Sequence, residues 1–405
     1  MQSGVRKFAL PLSLPVLRRY AIARSLFAPM TLQRAIERLG FVQADPIRAP
    51  ARAQDLILRP RFKRYREGDL DRRYQALAVD EDHFVNYGYL PKRHRELLHP
   101  RPPTARRGLG TAEQVEQLLA FAHEHGEIHP RKVAAHFDLG RVENYWGGQS
   151  QASTQLLERL HFQGLLRVAR RDDGIRIYMP CAAASPVGNG AEPATEDPAI
   201  DPQRRADALV SLVVALYAPL PASSLTQLVA KLKFAAPQLR DELAQTRARA
   251  QELYQHATLA GTTWYWPPTE RPTDYALESS PPIVRLLAPF DPVVWDRLRF
   301  EAFWGWPYRF EGYTPAKRRQ LGYYALPLLW REKVIGWGNL AVSDGRLQAR
   351  FGYRPGGQPK SRVFRRELTA ELERFAEFLG VERGDRGRLG CEEPIDRAER
   401  PKGLR

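Results

Sequence analysis

Residues 111–180 constrain the fold most tightly, because they set three short amphipathic helices directly ahead of one tight hairpin. Thr111 and Gln114 form a capping box, and Val115, Leu118, Leu119 and Ala122 follow at helical spacing. Gly126 ends that helix, and residues 130–137 predict a second. A third, capped by Ser153 or Thr154, carries Leu156, Leu157 and Leu160 on one face and Gln155, Arg159 and Gln163 on another. Residues 165–170 and 175–179 then read as strands around Asp172-Asp173-Gly174, whose Asp-Gly pair favours a two-residue turn. Three helices followed by a basic two-stranded ribbon give the order of a winged helix.

The same plan recurs on both sides. Residues 208–217 predict a helix, Ser224 and Gln227 read as a second capping box, residues 237–250 as a third helix, and Trp264-Tyr265-Trp266 as a wing strand. Earlier, residues 14–26 and 32–39 predict helices, followed by an extended segment and a helix through residue 58. Beyond residue 283 the pattern changes: residues 323–329, 333–342 and 347–353 read as strands, with Asp344-Gly345 as a hairpin turn and a helix at 366–379. The expected class is α+β, mainly α: tandem winged helix-turn-helix modules with a C-terminal β-rich domain, a partial barrel. The expected divisions are 1–105, 106–180, a linker at 181–203, 204–280, 281–381 and a disordered tail at 382–405. The linker and tail are rich in Ala, Pro, Gly and charge, with little to bury.

Charge narrows the partners. Lys and Arg total 62 against 46 Asp and Glu, a formal net charge of +16. Arginine supplies most of the excess, and its planar fork suits phosphate. The expected partner is therefore nucleic acid rather than a membrane surface. Basic runs interleaved with aromatics mark the candidate contacts: Arg52, Arg61, Lys63 and Arg64 early in the chain, Lys317 and Arg318 near its end. In the second module they are Gln155, Arg159, Arg170 and Arg171.

No run of 18 apolar residues offers a membrane span, and residues 1–14 lack a signal-peptide core. Cys181 and Cys391 support neither a disulfide framework nor a zinc site, and His123, His125, His129 and His136 lack metal-ligand spacing. We expect a cytoplasmic, nucleoid-associated monomer that needs no cofactor or metal. Asp291, Asp296 and Arg297 read as structural, with Asp291-Pro292 as a cap or turn.

One short segment carries the candidate chemistry. In Phe41-Val42-Gln43-Ala44-Asp45-Pro46 an amide and a carboxylate stand two residues apart, so an extended chain would present both to one face and one small cavity. Asp45 before Pro46 also reads as a helix N-cap with proline at the first helical position. Walker loops, dinucleotide fingerprints and Ser-centred elbows do not occur.

Residues 39–52 (LGFVQADPIRAPAR) resemble the signature of the YcaQ/AlkZ-like bacterial winged-helix DNA glycosylases, in which Gln-x-Gln or Gln-x-Asp precedes an Ala-Arg pair. Asn144-Tyr145-Trp146-Gly147 and the text through Tyr178 are similar to that family's second winged helix. A further match begins at Leu287-Ala288-Pro289-Phe290-Asp291-Pro292 and continues through Trp295-Asp296-Arg297. It extends over Tyr308, Tyr313, Pro315, Lys317-Arg318 and Gly322-Tyr323-Tyr324. The likeness spans about residues 10–380. One departure stands out: where the family carries Trp-x-His, this chain has His83-Phe84-Val85-Asn86-Tyr87.

The resemblance implies tandem winged helices and excision of alkylated purines, including crosslinks through guanine N7, from double-stranded DNA. It makes Gln43 and Asp45 the catalytic pair, of the Gln-x-Asp kind. With no lysine beside the pair in sequence, we expect a monofunctional glycosylase. The competing expectation is a non-enzymatic winged-helix DNA-binding regulator.

Overall fold

The computed structural model describes residues 11–103, 110–143, 148–181, 201–276, 281–383 and 390–392. Most of the expected linker, most of the tail and the Asn144–Gly147 motif lie outside the described residues. Helix α1 (Leu14–Ser25) buries Leu17, Tyr20 and Ala21, while α2 (Leu32–Leu39) is capped by the Thr31 side chain and stops at Gly40, where φ is +78°. The chain then extends into β1 (Val42–Gln43), and α3 (Ala53–Leu58) and α4 (Asp69–Arg73) follow. An unexpected hairpin, β2 (Val79–His83) and β3 (Tyr87–Pro91), completes a three-stranded sheet in the order β1-β3-β2, and α5 (Lys92–Glu96) leaves it.

The second unit keeps the expected order. Helix α6 (Ala112–His125) starts from the Thr111/Gln114 capping box, with both reciprocal bonds made. Helix α7 (Pro130–His136), a small ladder of β4 (Arg141–Glu143) and β5 (Gln149–Gln151), and α8 (Ala152–Gln163) come next. Helix α8 begins before the expected Ser153 or Thr154 cap, from Gln151. Strands β6 (Leu166–Asp172) and β7 (Ile175–Pro180) form the ribbon, and positive φ at both Asp173 and Gly174 gives the tight turn that twisted hairpins favour.

Helix α9 (Pro202–Tyr217) starts inside the stretch expected as linker, with Asp201 accepting the Arg204 amide. Strand β8 (Leu220–Pro221) leads into α10 (Ala222–Ala235), which starts two residues ahead of Ser224. The expected Ser224/Gln227 capping box therefore does not form, and Ser224 is buried instead. Helices α11 (Arg240–Ala248) and α12 (Ala250–Leu253) precede β9 (Gln255–Leu259) and β10 (Thr262–Trp266), which close a sheet in the order β8-β10-β9.

The last unit contains β11 (Val284–Leu286), α13 (Arg297–Trp304), β12 (Leu326–Trp330), β13 (Lys333–Ser343), β14 (Arg346–Tyr353) and α14 (Arg362–Leu379). Strands β15 (Glu382–Arg383) and β16 (Gly390–Glu392) pair parallel with β14, so these parts of the expected disordered tail belong to the sheet. The sheet runs β11-β12-β13-β14-β15 without closing, which replaces the expected partial barrel with an open sheet. The class is α+β, with helix the larger share. Among the described residues no helix is long and apolar enough to cross a membrane.

Candidate active site

Strand β1 is short, and close backbone approach fixes it. Val42 pairs with Tyr89 and Gln43 with Gly88 on β3, and the Ala44 amide donates to the Tyr87 carbonyl at 3.0 Å. Glycine is required at position 88: a Cβ there would stand 2.3 Å from the Val42 carbonyl oxygen and 2.7 Å from the Phe41 ring. Gln43 and Asp45 are both about nine-tenths buried. Gln43 Oε1 accepts from Asn86 Nδ2 at 2.9 Å, which occupies one lone pair and leaves the Nε2 donors.

Asp45 does not start a helix. Its Oδ1 accepts the Ile47 amide at 2.9 Å in a local turn, and the next helix opens only at Ala53. Its Oδ2 accepts the Tyr313 hydroxyl at 2.8 Å, from 268 residues away. Both carboxylate oxygens are thus held while the group stays at a cleft wall. Burial and the hydrogen bond to Asp45 both push the Tyr313 phenol up, so it serves as a donor.

Asp45 lines a cleft of about 380 Å³ together with Arg52, His83, Tyr87, His161 and Arg176. First-unit and second-unit side chains face each other across it. Burial holds the imidazoles of His83 and His161 down to about 4 and about 3, so both are neutral at neutral pH. Arg176 lies over the Tyr87 ring at 4.4 Å, and Tyr87 donates to Glu81 at 2.9 Å. A second cleft, of about 320 Å³, is lined by Asn86, Lys231, Phe290, Trp295, Tyr308 and Phe310. Asp45 thus lines the first cleft, and Asn86, the hydrogen-bond partner of Gln43, lines the second.

The expected DNA contacts divide by burial. Arg61 is a correction: it is fully buried, with Nη1 and Nη2 on Asp291 at 2.7 and 3.1 Å. Arg171, by contrast, is partly exposed and lines the Asp45 cleft while gripping the buried Glu81 at 2.6 and 2.7 Å. Burial acts to raise the Glu81 carboxyl, but Arg171 outweighs it and holds it below the usual carboxylate range. In the early run Tyr65 is buried and donates to Asp55 at 2.7 Å, whereas Tyr323 after the late run is exposed beneath Arg319. Lys63, Arg64, Lys317 and Arg318 are exposed, the last two in a single turn at Ala316–Arg318, close in sequence to Tyr313.

Arg52 lines the Asp45 cleft and pairs with Asp71 at 3.2 Å. Arg170 pairs with Glu127 at 2.8 Å, while Gln155 donates to the Glu143 carbonyl and Ser150 Oγ at 3.1 and 3.0 Å. Arg159 is half-buried on α8. Asp291 and Asp296 are structural as expected, accepting the Val293 amide and the Leu298 and Arg299 amides.

Three residues gained no role from sequence. Asn86 sits in the unexpected β2–β3 turn, and the signal for it was the run of Tyr87, Gly88 and Tyr89. Tyr313 stood among the matched positions, with nothing in its own segment to tie it to Asp45. Lys231 lies on α10, with Nζ 3.5 Å from Asn86 Oδ1.

Comparison with known proteins completes the picture. The family model described as "DNA glycosylase AlkZ-like" matches residues 36–378. Among solved structures, the chain is similar to Streptomyces sahachiroi DNA glycosylase AlkZ, with a TM-score of 0.56 and 13% identity. That match covers 94% of this chain and 99% of the other, and at such identity it speaks for the fold. The family match spans most of the chain and includes the Gln43–Asp45 segment, so this protein belongs to the AlkZ-like DNA glycosylase family and is a hydrolase of N-glycosyl bonds.

Proposed function

We propose that the protein excises N7-alkylated purines from duplex DNA by a monofunctional, water-dependent route, with Asp45 and Gln43 as the catalytic pair. The observation that carries this reading is the Asp45 carboxylate, fixed by the Ile47 amide and Tyr313 hydroxyl at the wall of an Arg52- and Arg176-lined cleft. Three winged-helix modules and a C-terminal sheet domain form the scaffold, with Lys63, Arg64, Lys317 and Arg318 toward the phosphates. Family membership as a hydrolase sets aside the alternative of a non-enzymatic regulator.

The chemistry follows from the leaving group. Alkylation at N7 makes the purine cationic, so its departure needs little protonation. Neutral His83 and His161 beside Asp45 fit a site that supplies no strong acid. What the reaction needs is negative charge near the developing oxocarbenium ion and a positioned water. Asp45 supplies the charge and takes the water proton, and Gln43 Nε2 orients the water while Asn86 fixes the amide. A crosslinked base cannot be flipped free of its partner. Unhooking would therefore proceed with the lesion approached from the groove, which an open cleft between modules permits.

The test is base release from an N7-methylguanine duplex and from a crosslinked duplex. Asp45→Asn should keep DNA affinity and lose about 100-fold or more in rate. No release by the wild-type protein from either duplex would overturn the N7-alkylpurine assignment.

A further inference from the structure

Phe234 is the most exposed large apolar side chain among the described residues, at 65%. A lone exposed phenylalanine is ordinary on a protein surface. What sets this one apart is its place near the end of α10. Its ring centroid lies 6.1 Å from that of His83 and 5.5 Å from that of Phe162. Rings of the first, second and third units therefore meet there, and His83 lines the Asp45 cleft. Further in, His83 stands edge-on to Tyr87 at 5.0 Å, another lining residue of that cleft. One helical turn earlier on α10, Lys231 reaches Asn86, which donates to Gln43. The exposed ring is thus backed by residues that touch both members of the pair's surroundings. The charges around it favour DNA: α10 carries Lys231 and Lys233 and no carboxylate. Arg52, Arg171 and Arg176 line the cleft against two carboxylates, Asp45 and Glu158. A bare apolar ring held beside a cationic cleft suits entry between stacked bases, which kinks a duplex.

We propose that Phe234 is a wedge that enters the base step beside the lesion, unstacks it and bends the duplex toward Asp45. The proposal rests on the glycosylase reading of the Asp45 cleft and adds the residue that positions the substrate in it. Phe234 touches the neighbouring bases and not the reacting atoms, so it is a positioning residue. Stacking of the ring on a base offsets the stacking lost at the opened step. The kink brings the sugar of the lesion to the cleft without turning its base out of the helix, which is the approach a crosslinked base requires. His83 and Phe162 hold the ring from behind, so the wedge is in place before DNA arrives.

The experiment uses the full chain and a duplex carrying one 2′-fluoro-N7-methylguanine, whose glycosidic bond resists cleavage, next to 2-aminopurine. Stacking quenches 2-aminopurine, so saturating protein should raise its fluorescence. Phe234→Ala should lose that rise and Phe234→Tyr keep it, both with the urea midpoint of the wild type. On a cleavable N7-methylguanine duplex, Phe234→Ala should slow single-turnover release about 5- to 150-fold, the worth of one base–aromatic stack. The rate should recover on a duplex with a one-nucleotide gap beside the lesion, where the step is already open. No rise with the wild type, a rise that persists in Phe234→Ala, or an equal defect on intact and gapped duplexes would overturn the proposal. The fluorescence measurement needs no base release, so it judges the wedge even if the wild type releases no base, a result that counts against the N7-alkylpurine reading alone.

Discussion

Arg61 offers the sharpest test, because a basic run in the sequence assigns it to DNA and the structure assigns it to the core. Its guanidinium touches Asp291 twice, the Ser25 carbonyl at 2.9 Å and the Ile57 carbonyl at 2.5 Å, with no solvent exposure. Arg61→Ala would leave a buried Asp291 carboxylate with the Val293 amide but without its directly bonded counter-charge. Breaking a buried pair from one side costs about 3–5 kcal/mol, a large share of the roughly 5–15 kcal/mol that holds a domain together. Urea denaturation of the full chain should show the loss as a lower midpoint, with the slope followed to expose stepwise unfolding of separate units. Arg61→Met with Asp291→Leu should recover most of it, since an apolar pair of similar size replaces the ions at little or no net cost. Lys63→Ala with Arg64→Ala should move stability by no more than about 0.5 kcal/mol yet flatten the salt dependence of DNA binding. An Arg61→Ala protein with an unchanged midpoint and weakened DNA binding would refute the reasoning.

Three further outcomes are expected. Tyr313→Phe removes the hydroxyl on Asp45 Oδ2. Because a hydrogen bond to a charged group is worth about 1.5–3 kcal/mol, single-turnover base release should slow roughly tenfold or more with DNA affinity unchanged. Lys317→Ala with Arg318→Ala should reduce the slope of log affinity against log salt by up to about 2, since every phosphate left without its cation takes about 0.9 from that slope. Asp55, pushed up to about 6 by burial, binds its proton more tightly folded than unfolded. Its contribution therefore favours the fold below the unfolded value near 4 and turns into a cost as pH rises through 6. Asp55→Asn, whose Oδ1 still accepts from Tyr65 and Gly68, should raise the urea midpoint above pH 6 and match the wild type near pH 4.

Local signals were legible where the partner lies a few residues away. The Thr111/Gln114 capping box, the Asp173-Gly174 and Asp344-Gly345 turns and the apolar stripe of α8 all depend on near neighbours, and all formed as read. Ser224/Gln227 has the same spelling as Thr111/Gln114, but β8 carries the chain straight into α10 two residues early and buries the serine. The β2–β3 hairpin was missed because Asp80, Glu81 and Asp82 look like solvated surface. They are buried, and the charges that make this possible, Arg95, Arg101 and Arg171, come from elsewhere in the chain. Gln43 and Asp45 stand out in the sequence, but Tyr313, which donates to Asp45, and Lys231, which reaches Asn86, come from other units. The hydrogen bond that holds Asp45 has no signature within any window of sequence.

Those long-range contacts change what the +16 charge means. Arg101 is buried against Asp82 and the His83 carbonyl of the first unit, the Phe162 carbonyl of the second and the Ala235 carbonyl of the third. Arg171 ties the second unit to Glu81 of the first, Arg61 ties the first to Asp291 of the last, and Arg299 joins the Tyr217 and Pro292 carbonyls of the third and last. A lysine has three donors on a single atom, whereas a guanidinium spreads five over a fixed plane and reaches carbonyls farther apart. These arginines orient the units, and the site depends on that orientation because residues of all four units converge around the Gln43–Asp45 segment. Asn86 comes from the first unit, Tyr313 from the last, Lys231 from the third, and Arg176 of the second faces Asp45 across the cleft. Arginine excess in such a chain therefore measures internal joints as well as affinity for DNA, and the electrostatic footprint is to be read from exposed residues such as Lys63, Arg64, Lys317 and Arg318.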